Sequence, residues 1–327
     1  MSEMEGWGGR VDLPEDASTR RWHQWVRPVT EGAAPGVALL GFACDEGVRR
    51  NHGRVGAAQG PAALRKMLSN LPTLDDTSLY DAGTVACTDG DLEGAQLRYA
   101  ERMAALLDAG HFAVGLGGGH EIAFASWQGL ARHLGGRRPK VAIVNIDAHF
   151  DLRRQEQGSS GTPFLQSIEH AGVLGIDLQY HVYGISAAAN TRVLFDTADA
   201  LGVHYVMDDQ LGLLELPQRL VELRERLAGV DVIYQTIDID GLPHAMAPGV
   251  SAPAARGVPM EVVEPLLDAV ASTGKLRLMD VAEFSPPYDR DNVTARVAAR
   301  LIHRVSHAAM RALRARRAPT IADAIFP

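Results

Sequence analysis

The stretch Val141-Ala142-Ile143-Val144-Asn145-Ile146-Asp147-Ala148-His149-Phe150-Asp151 decides the fold and points to the chemistry. Its first half is a largely apolar run without alternation, which reads as a strand covered on both faces. Its second half sets Asp147, His149 and Asp151 two residues apart, so that in an extended segment all three project to one side. Three such groups repel or desolvate one another unless something cationic sits between them. A solvated polar loop is the plain alternative. It suits poorly, because a strongly apolar strand leads straight into the cluster.

Working outward, the arrangement recurs. The run Phe112–Leu116 ends in Gly117-Gly118-Gly119-His120-Glu121, and the run Val230–Ile239 carries Asp238-Ile239-Asp240. Three glycines let the backbone turn sharply and approach another group closely. Neither a dinucleotide fingerprint nor a Gly-Lys-Ser/Thr phosphate loop is present. A lone histidine at a strand end is more often structural than a ligand, and a lone Asp-x-Asp is common in loops. Repetition at successive strand ends gives the pattern its weight.

The set comprises His120, Asp147, His149, Asp151, Asp238 and Asp240. Hard carboxylate oxygens with some imidazole favour manganese(II) over a soft-metal site, whereas zinc sites more often use cysteine or histidine majorities. Six side chains are too many for one catalytic ion with an open position. They suit two ions at ~3.5–4 Å that share bridging carboxylates and a water, lower the water's pKa and produce a hydroxide nucleophile.

The rest of the chain supplies the frame. Further apolar runs cover Val37–Ala43, His181–Ile185 and Leu276–Ala282. Helical spacing covers Pro61–Leu71, Leu92–Leu107, Ile122–Leu134, Thr191–Leu201, Leu214–Leu227 and Met260–Ala271, and a final helix runs through Val293, Val297, Leu301 and Val305. Strands alternating with helices predict an α/β protein with a parallel sheet, whose chemistry gathers beyond the carboxyl ends of the strands. With no linker or repeat, the reading is an N-terminal arm over residues 1–35, holding Trp7, Trp22 and Trp25, and one catalytic domain over residues 36–327.

Composition narrows the class. A chain of 327 residues that is 46 % hydrophobic and 22 % charged buries a large core and is neither disordered nor a cysteine framework. No run approaches the ~20 apolar residues of a membrane span, and the first residues lack the pattern of a secretory signal. A formal charge of −8 argues against general binding to nucleic acid or anionic membrane. Two cysteines, Cys44 and Cys87, fit a reducing cytoplasm, where each reads as a small buried hydrophobe.

The three strand-end motifs resemble the metal motifs of the arginase/agmatinase (ureohydrolase) family, and the stretch from Thr236 through Pro248-Gly249 to Gly257 resembles that family's long signature. Within the family, three segments look most like the formimidoylglutamase branch. They are Asp45 through Ala57, Val250-Ser251-Ala252-Pro253-Ala254-Ala255-Arg256-Gly257, and Asp291-Asn292-Val293-Thr294-Ala295-Arg296. The resemblance implies a single α/β domain with a mainly parallel, roughly eight-stranded sheet flanked by helices on both faces. It also implies two manganese(II) ions per subunit, with His120, Asp147, Asp151 and Asp238 divided between them and His149 and Asp240 completing the set. A homo-oligomer and a small-molecule substrate are implied as well.

For this branch the implied reaction is hydrolysis of N-formimidoyl-L-glutamate to formamide and L-glutamate in histidine degradation. Asp151, matching the last ligand of the second motif, is expected to relay a proton to the leaving amine. Glu283, after the run Leu276–Ala282, matches the glutamate that holds the cationic amidine nitrogens. A substrate with two carboxylates calls for guanidinium anchors. Arg49 and Arg54 are the candidates, with Thr162, Asn190 and Arg296 from the branch-specific segments. The alternative is another ureohydrolase, a guanidinobutyrase, agmatinase or arginase that releases urea. Two features oppose it: Ser160 stands where those enzymes carry a histidine, and arginines near the site repel a cationic substrate.

Overall fold

The computed structural model describes residues 4 and 6–317. Positions 1–3 and 5 of the expected arm, and 318–327 of the expected catalytic domain, lie outside the described residues. The strands are β1 (Arg27–Pro28), β2 (Val37–Ala43), β3 (Leu79–Ala86), β4 (Phe112–Leu116), β5 (Lys140–Ile146), β6 (Asp177–Ile185), β7 (His204–Met207), β8 (Val232–Asp238) and β9 (Leu276–Ala282). The helices are α1 (Trp22–Trp25), α2 (Glu46–Arg50), α3 (Gly60–Leu68), α4 (Leu92–Asp108), α5 (Ile122–Leu134), α6 (Pro163–Leu174), α7 (Arg192–Ala200), α8 (Leu216–Ala228), α9 (Met260–Ala271) and α10 (Val293–Arg317).

The strands form one nine-stranded sheet in the order β1-β3-β2-β4-β9-β8-β5-β6-β7, and every pairing is parallel. The fold is thus the predicted one, with one strand more than the rough count of eight. Unbroken apolar runs are explained by two cores. Val37, Leu39, Ala142, Val144 and Ile146 face the layer of α3, α8, α9 and α10. Their neighbours Ala38, Leu40, Phe42, Val141 and Ile143 face the layer of α4, α5, α6 and α7. A strand buried on both faces has no solvent side to mark with polar residues.

The crossovers explain where the site lies. From β3 the chain steps across the sheet to β4, β5, β6 and β7, and its connecting helices α4 to α7 lie on one face. It returns to β8 and β9 through α8 and α9 on the other face, as right-handed crossovers require. On the way out it leaves a gap between β4 and β5, which β9 and β8 fill on the way back. The carboxyl ends of four strands from distant parts of the chain therefore stand side by side at a topological switch point.

The N-terminal arm is part of the body. The indole N–H of Trp7 donates to Asp81 Oδ2 at 2.6 Å, and Arg65 grips both oxygens of Asp81 at 2.7 and 2.9 Å. Trp22 is fully buried. β1 extends the sheet beside β3, at an edge where Pro28 breaks no ladder. Among the described residues, no helix is long and apolar enough to cross a membrane.

Candidate metal centre

Each of the four central strand ends delivers its side chains by a local device. After β4, a Cβ at Gly118 would collide with the carbonyl oxygen of Cys44. Glycine therefore allows the tight approach that sets His120 over the sheet. After β5 and β8, the first aspartate of each motif bends the chain as an Asx-turn. Asp147 Oδ1 accepts the His149 N–H at 2.7 Å, and Asp238 Oδ1 accepts the Asp240 N–H at 2.8 Å. After β9, Glu283 Oε1 accepts the backbone N–H of His120 at 2.8 Å, so the fourth strand end locks the first.

These devices gather all six predicted ligands. His120 Nδ1 lies 3.2 Å from Asp147 Oδ2, 3.0 Å from Asp151 Oδ2 and 3.1 Å from Asp238 Oδ2. It is buried and makes no hydrogen bond of good geometry. His149 Nδ1 lies 3.5 Å from Asp147 Oδ1 and 3.4 Å from Asp240 Oδ2. Two overlapping groups result, His120-Asp147-Asp151-Asp238 and Asp147-His149-Asp240, each with its ligand atoms within 4.8 Å of one another. Asp147 belongs to both and turns one oxygen to each histidine. The orphaned imidazole nitrogen, ringed by carboxylate oxygens at about 3 Å, fits a cation better than a proton.

The electrostatics agree. Desolvation, and then the charges of neighbouring carboxylates, push Asp238 and Glu283 well above the usual carboxylate range. Asp151 is raised for the same reasons, and desolvation pushes Asp240 up to about 6. For His120 and His149 desolvation is outweighed by the surrounding carboxylates, and both are raised well above the ordinary imidazole value. The cluster is short of positive charge, which two divalent cations would supply.

The backbone marks the same place. Five non-glycine described residues have positive φ, and among them Asp151 (51°), Glu283 (62°) and His52 (60°) line one cavity. Left-handed conformations of such residues persist where the surroundings impose them, and they concentrate at functional sites. The cavity, about 320 Å³, is also bordered by Asn51, Arg54, His149, Arg153, Ser160, Asp238, Asp240 and Ser251. Glu121, buried beside the metal cluster, accepts the Gly47 N–H at 2.9 Å and ties the loop carrying Asn51 to Arg54 to the β4 strand end.

The expected substrate contacts divide. Arg54 lines the cavity. Its Nε and Nη2 donate to the carbonyls of Ser251 and Val250 at 3.0 and 2.6 Å, and its Cζ stands 4.2 Å over the Tyr288 ring. The other four expected contacts, Arg49, Thr162, Asn190 and Arg296, are not among the residues that border the cavity. Arg49 is 64 % exposed and paired to Glu46, one turn back on its own helix. The Thr162 hydroxyl is consumed by Ser159 and Gln166. The Asn190 amide braces the second motif by holding Phe150 N, Ala148 O and Ser186 O. Arg296 is exposed in the first turn of α10. Sequence reasoning missed Arg153, two residues after Asp151. It borders the cavity, and among the described residues its guanidinium has no hydrogen-bond partner. Its period-two spacing from Asp151 was the available signal. Ser160 also borders the cavity and accepts a hydrogen bond from Asn51 Nδ2 at 3.2 Å.

The Arginase family pattern matches residues 35–307. The chain belongs to the arginase family. The formimidoylglutamase of Aeromonas hydrophila is 54 % identical over 306 residues, covering 93 % of this chain and 97 % of that one. Among solved structures, the formimidoylglutamase of Bacillus subtilis superposes with a TM-score of 0.81 at 20 % identity, over 93 % of this chain and 95 % of that one. The Trypanosoma cruzi formiminoglutamase solved with Mn²⁺ gives 0.74 at 24 % identity, over 84 % and 93 %. At those identities the two structures establish the fold.

Proposed function

We propose that this arginase-family chain hydrolyses N-formimidoyl-L-glutamate to formamide and L-glutamate, with two manganese ions held by His120, Asp147, His149, Asp151, Asp238 and Asp240. The observation that carries the substrate is the 54 % identity to a formimidoylglutamase over nearly the whole of both chains. Full retention of the six-ligand cluster supports the chemistry. When bound, the ions supply a water acidic enough to attack a carbon at neutral pH.

The chain's own residues do the rest. Glu283 has one oxygen committed to His120 N–H, which leaves the other to hold the amidinium nitrogens and present the formimidoyl carbon. Attack forms a C–O bond, and cleavage of the bond to the glutamate nitrogen follows. Asp151 accepts the proton of the attacking water and passes it to that nitrogen. Arg153 and Arg54 border the cavity as anchors for the two carboxylates. Arg54 is already immobilised, and Arg153 is free to close on the ligand.

We propose that this activity serves histidine degradation. We also propose the cytoplasm as its compartment, which the two unbridged cysteines favour, and a homo-oligomer as its working form, which the family resemblance favours. The test is a panel of formimidoylglutamate, agmatine, arginine and 4-guanidinobutyrate with manganese, following formamide, urea and ammonia together. Formamide from formimidoylglutamate alone is the expected result. Urea from a guanidino compound as the main product would transfer the chain to another ureohydrolase activity.

A further inference from the structure

His120 can bind a metal through Nδ1 only if its proton sits on Nε2, and a threonine hydroxyl stands within hydrogen-bond reach of that atom. His120 Nε2 lies 3.0 Å from Thr236 Oγ1. Thr236 on β8 is the direct register partner of Asp280 on β9, which sets the two side chains beside each other on one face of the sheet. Asp280 is completely buried. Its Oδ2 accepts Ser126 Oγ–H at 2.6 Å and Tyr234 O–H at 2.7 Å, while its Oδ1 is buried without a hydrogen-bond partner.

We infer that Asp280 is a positioning residue for the metal ligand His120, acting through the Thr236 hydroxyl. A hydroxyl has one proton to give. With Asp280 Oδ1 waiting for it, Thr236 gives that proton to the carboxylate and meets His120 as an acceptor. The chain runs from His120 Nε2–H to Thr236 Oγ1–H to Asp280 Oδ1, and the Nδ1 lone pair is left facing Asp147, Asp151 and Asp238. Outer partners of this kind fix the tautomer and raise the basicity of a ligating imidazole. Asp280 neither lines the cavity nor belongs to the six-ligand cluster, so the ligand set by itself gives it no role.

The inference predicts the result of an isosteric exchange. In Asp280→Asn, the side-chain oxygen must face the two hydroxyl donors Ser126 and Tyr234, which turns the NH₂ toward Thr236. Thr236 then accepts there and donates to His120 Nε2. The imidazole proton moves to Nδ1, the atom that must bind the metal.

The inference rests on the proposed binuclear site, and the experiment separates the two. Manganese is titrated into metal-free protein, with free Mn²⁺ followed by its electron paramagnetic resonance signal, for wild type, Asp280→Asn, Thr236→Val and Thr236→Ser. Wild type is expected to take up two ions; failure there defeats the binuclear reading itself. Asp280→Asn and Thr236→Val are expected to weaken one of the two sites by about 10–100-fold, while Thr236→Ser, which keeps the hydroxyl, retains wild-type affinity. Two sites of wild-type affinity in a folded Asp280→Asn protein would overturn the inference. If that variant fails to fold, the Thr236→Val and Thr236→Ser pair decides alone, and equal affinity in those two would overturn it.

Discussion

Arg153→Met removes the guanidinium that borders the metal cavity without a partner of its own. Methionine keeps most of the stem's packing beside Gly161 and deletes the charge. Because Arg153 has no ion pair to lose, the variant leaves no buried carboxylate stranded, and folding stability should change little. A charge-assisted contact to a substrate carboxylate in a half-buried cavity is worth about 2 kcal/mol. At about 1.4 kcal/mol per decade, that is roughly 30-fold in kcat/KM. The loss should fall mainly on KM, because the carboxylates do not change during the reaction and their binding is uniform between ground and transition states. The assay is steady-state formamide release from formimidoylglutamate and from two analogues, N-formimidoyl-L-glutamine and N-formimidoyl-4-aminobutyrate, each lacking one carboxylate. With the analogue that lacks the carboxylate Arg153 holds, wild type and variant should be nearly equal. An unchanged KM, or an equal loss with all three compounds, would refute Arg153 as a carboxylate anchor.

His149→Ala and Asp238→Asn should abolish turnover together with loss of bound metal, read by elemental analysis; full activity in either metal-depleted protein would remove the metal from the reaction. Glu283→Gln keeps the acceptor for His120 N–H but loses the charge facing the amidinium. It should cost about 10–100-fold in kcat/KM, from a charged hydrogen bond of about 1.5–3 kcal/mol, at unchanged metal content. His181, under the α8 layer, is buried, and desolvation pushes its pKa down from 6.5 to about 4. Its folded pKa is depressed, so the stability it contributes is present above about pH 6.5 and lost as pH falls toward 4. His181→Leu should flatten the decline of Tm across that window relative to wild type, and an identical decline would contradict this.

The central strands were legible in the sequence for one reason. β2, β4, β5, β8 and β9 are almost wholly buried on both faces and so are largely apolar, with no regular polar alternation. The metal ligands followed directly, because they sit where those runs stop. β3 and β7 escaped detection because they lie toward the sheet's edges. β3 mixes Asp81, Gly83 and Thr84 among its apolar residues, and β7 has four residues. α6 was hidden behind the polar loop of Ser159 to Thr162, although Pro163 at its first turn is a recognised start. The substrate contacts were the least legible. An arginine's sequence neighbourhood does not reveal whether a glutamate has already claimed it, as Glu46 has claimed Arg49 and Arg50. Nor does it reveal that Asn190 spends its whole amide on the loop behind the site. Asp280 was invisible as a metal-site residue, because its link to His120 runs across strand register through Thr236.

The most direct test of the account is anomalous diffraction at the manganese edge from crystals grown with the metal. The account predicts two peaks separated by about 3.5–4 Å, one beside His120 and Asp151, the other beside His149 and Asp240, with Asp147 between them. A single peak, or metal bound away from these six side chains, would contradict it.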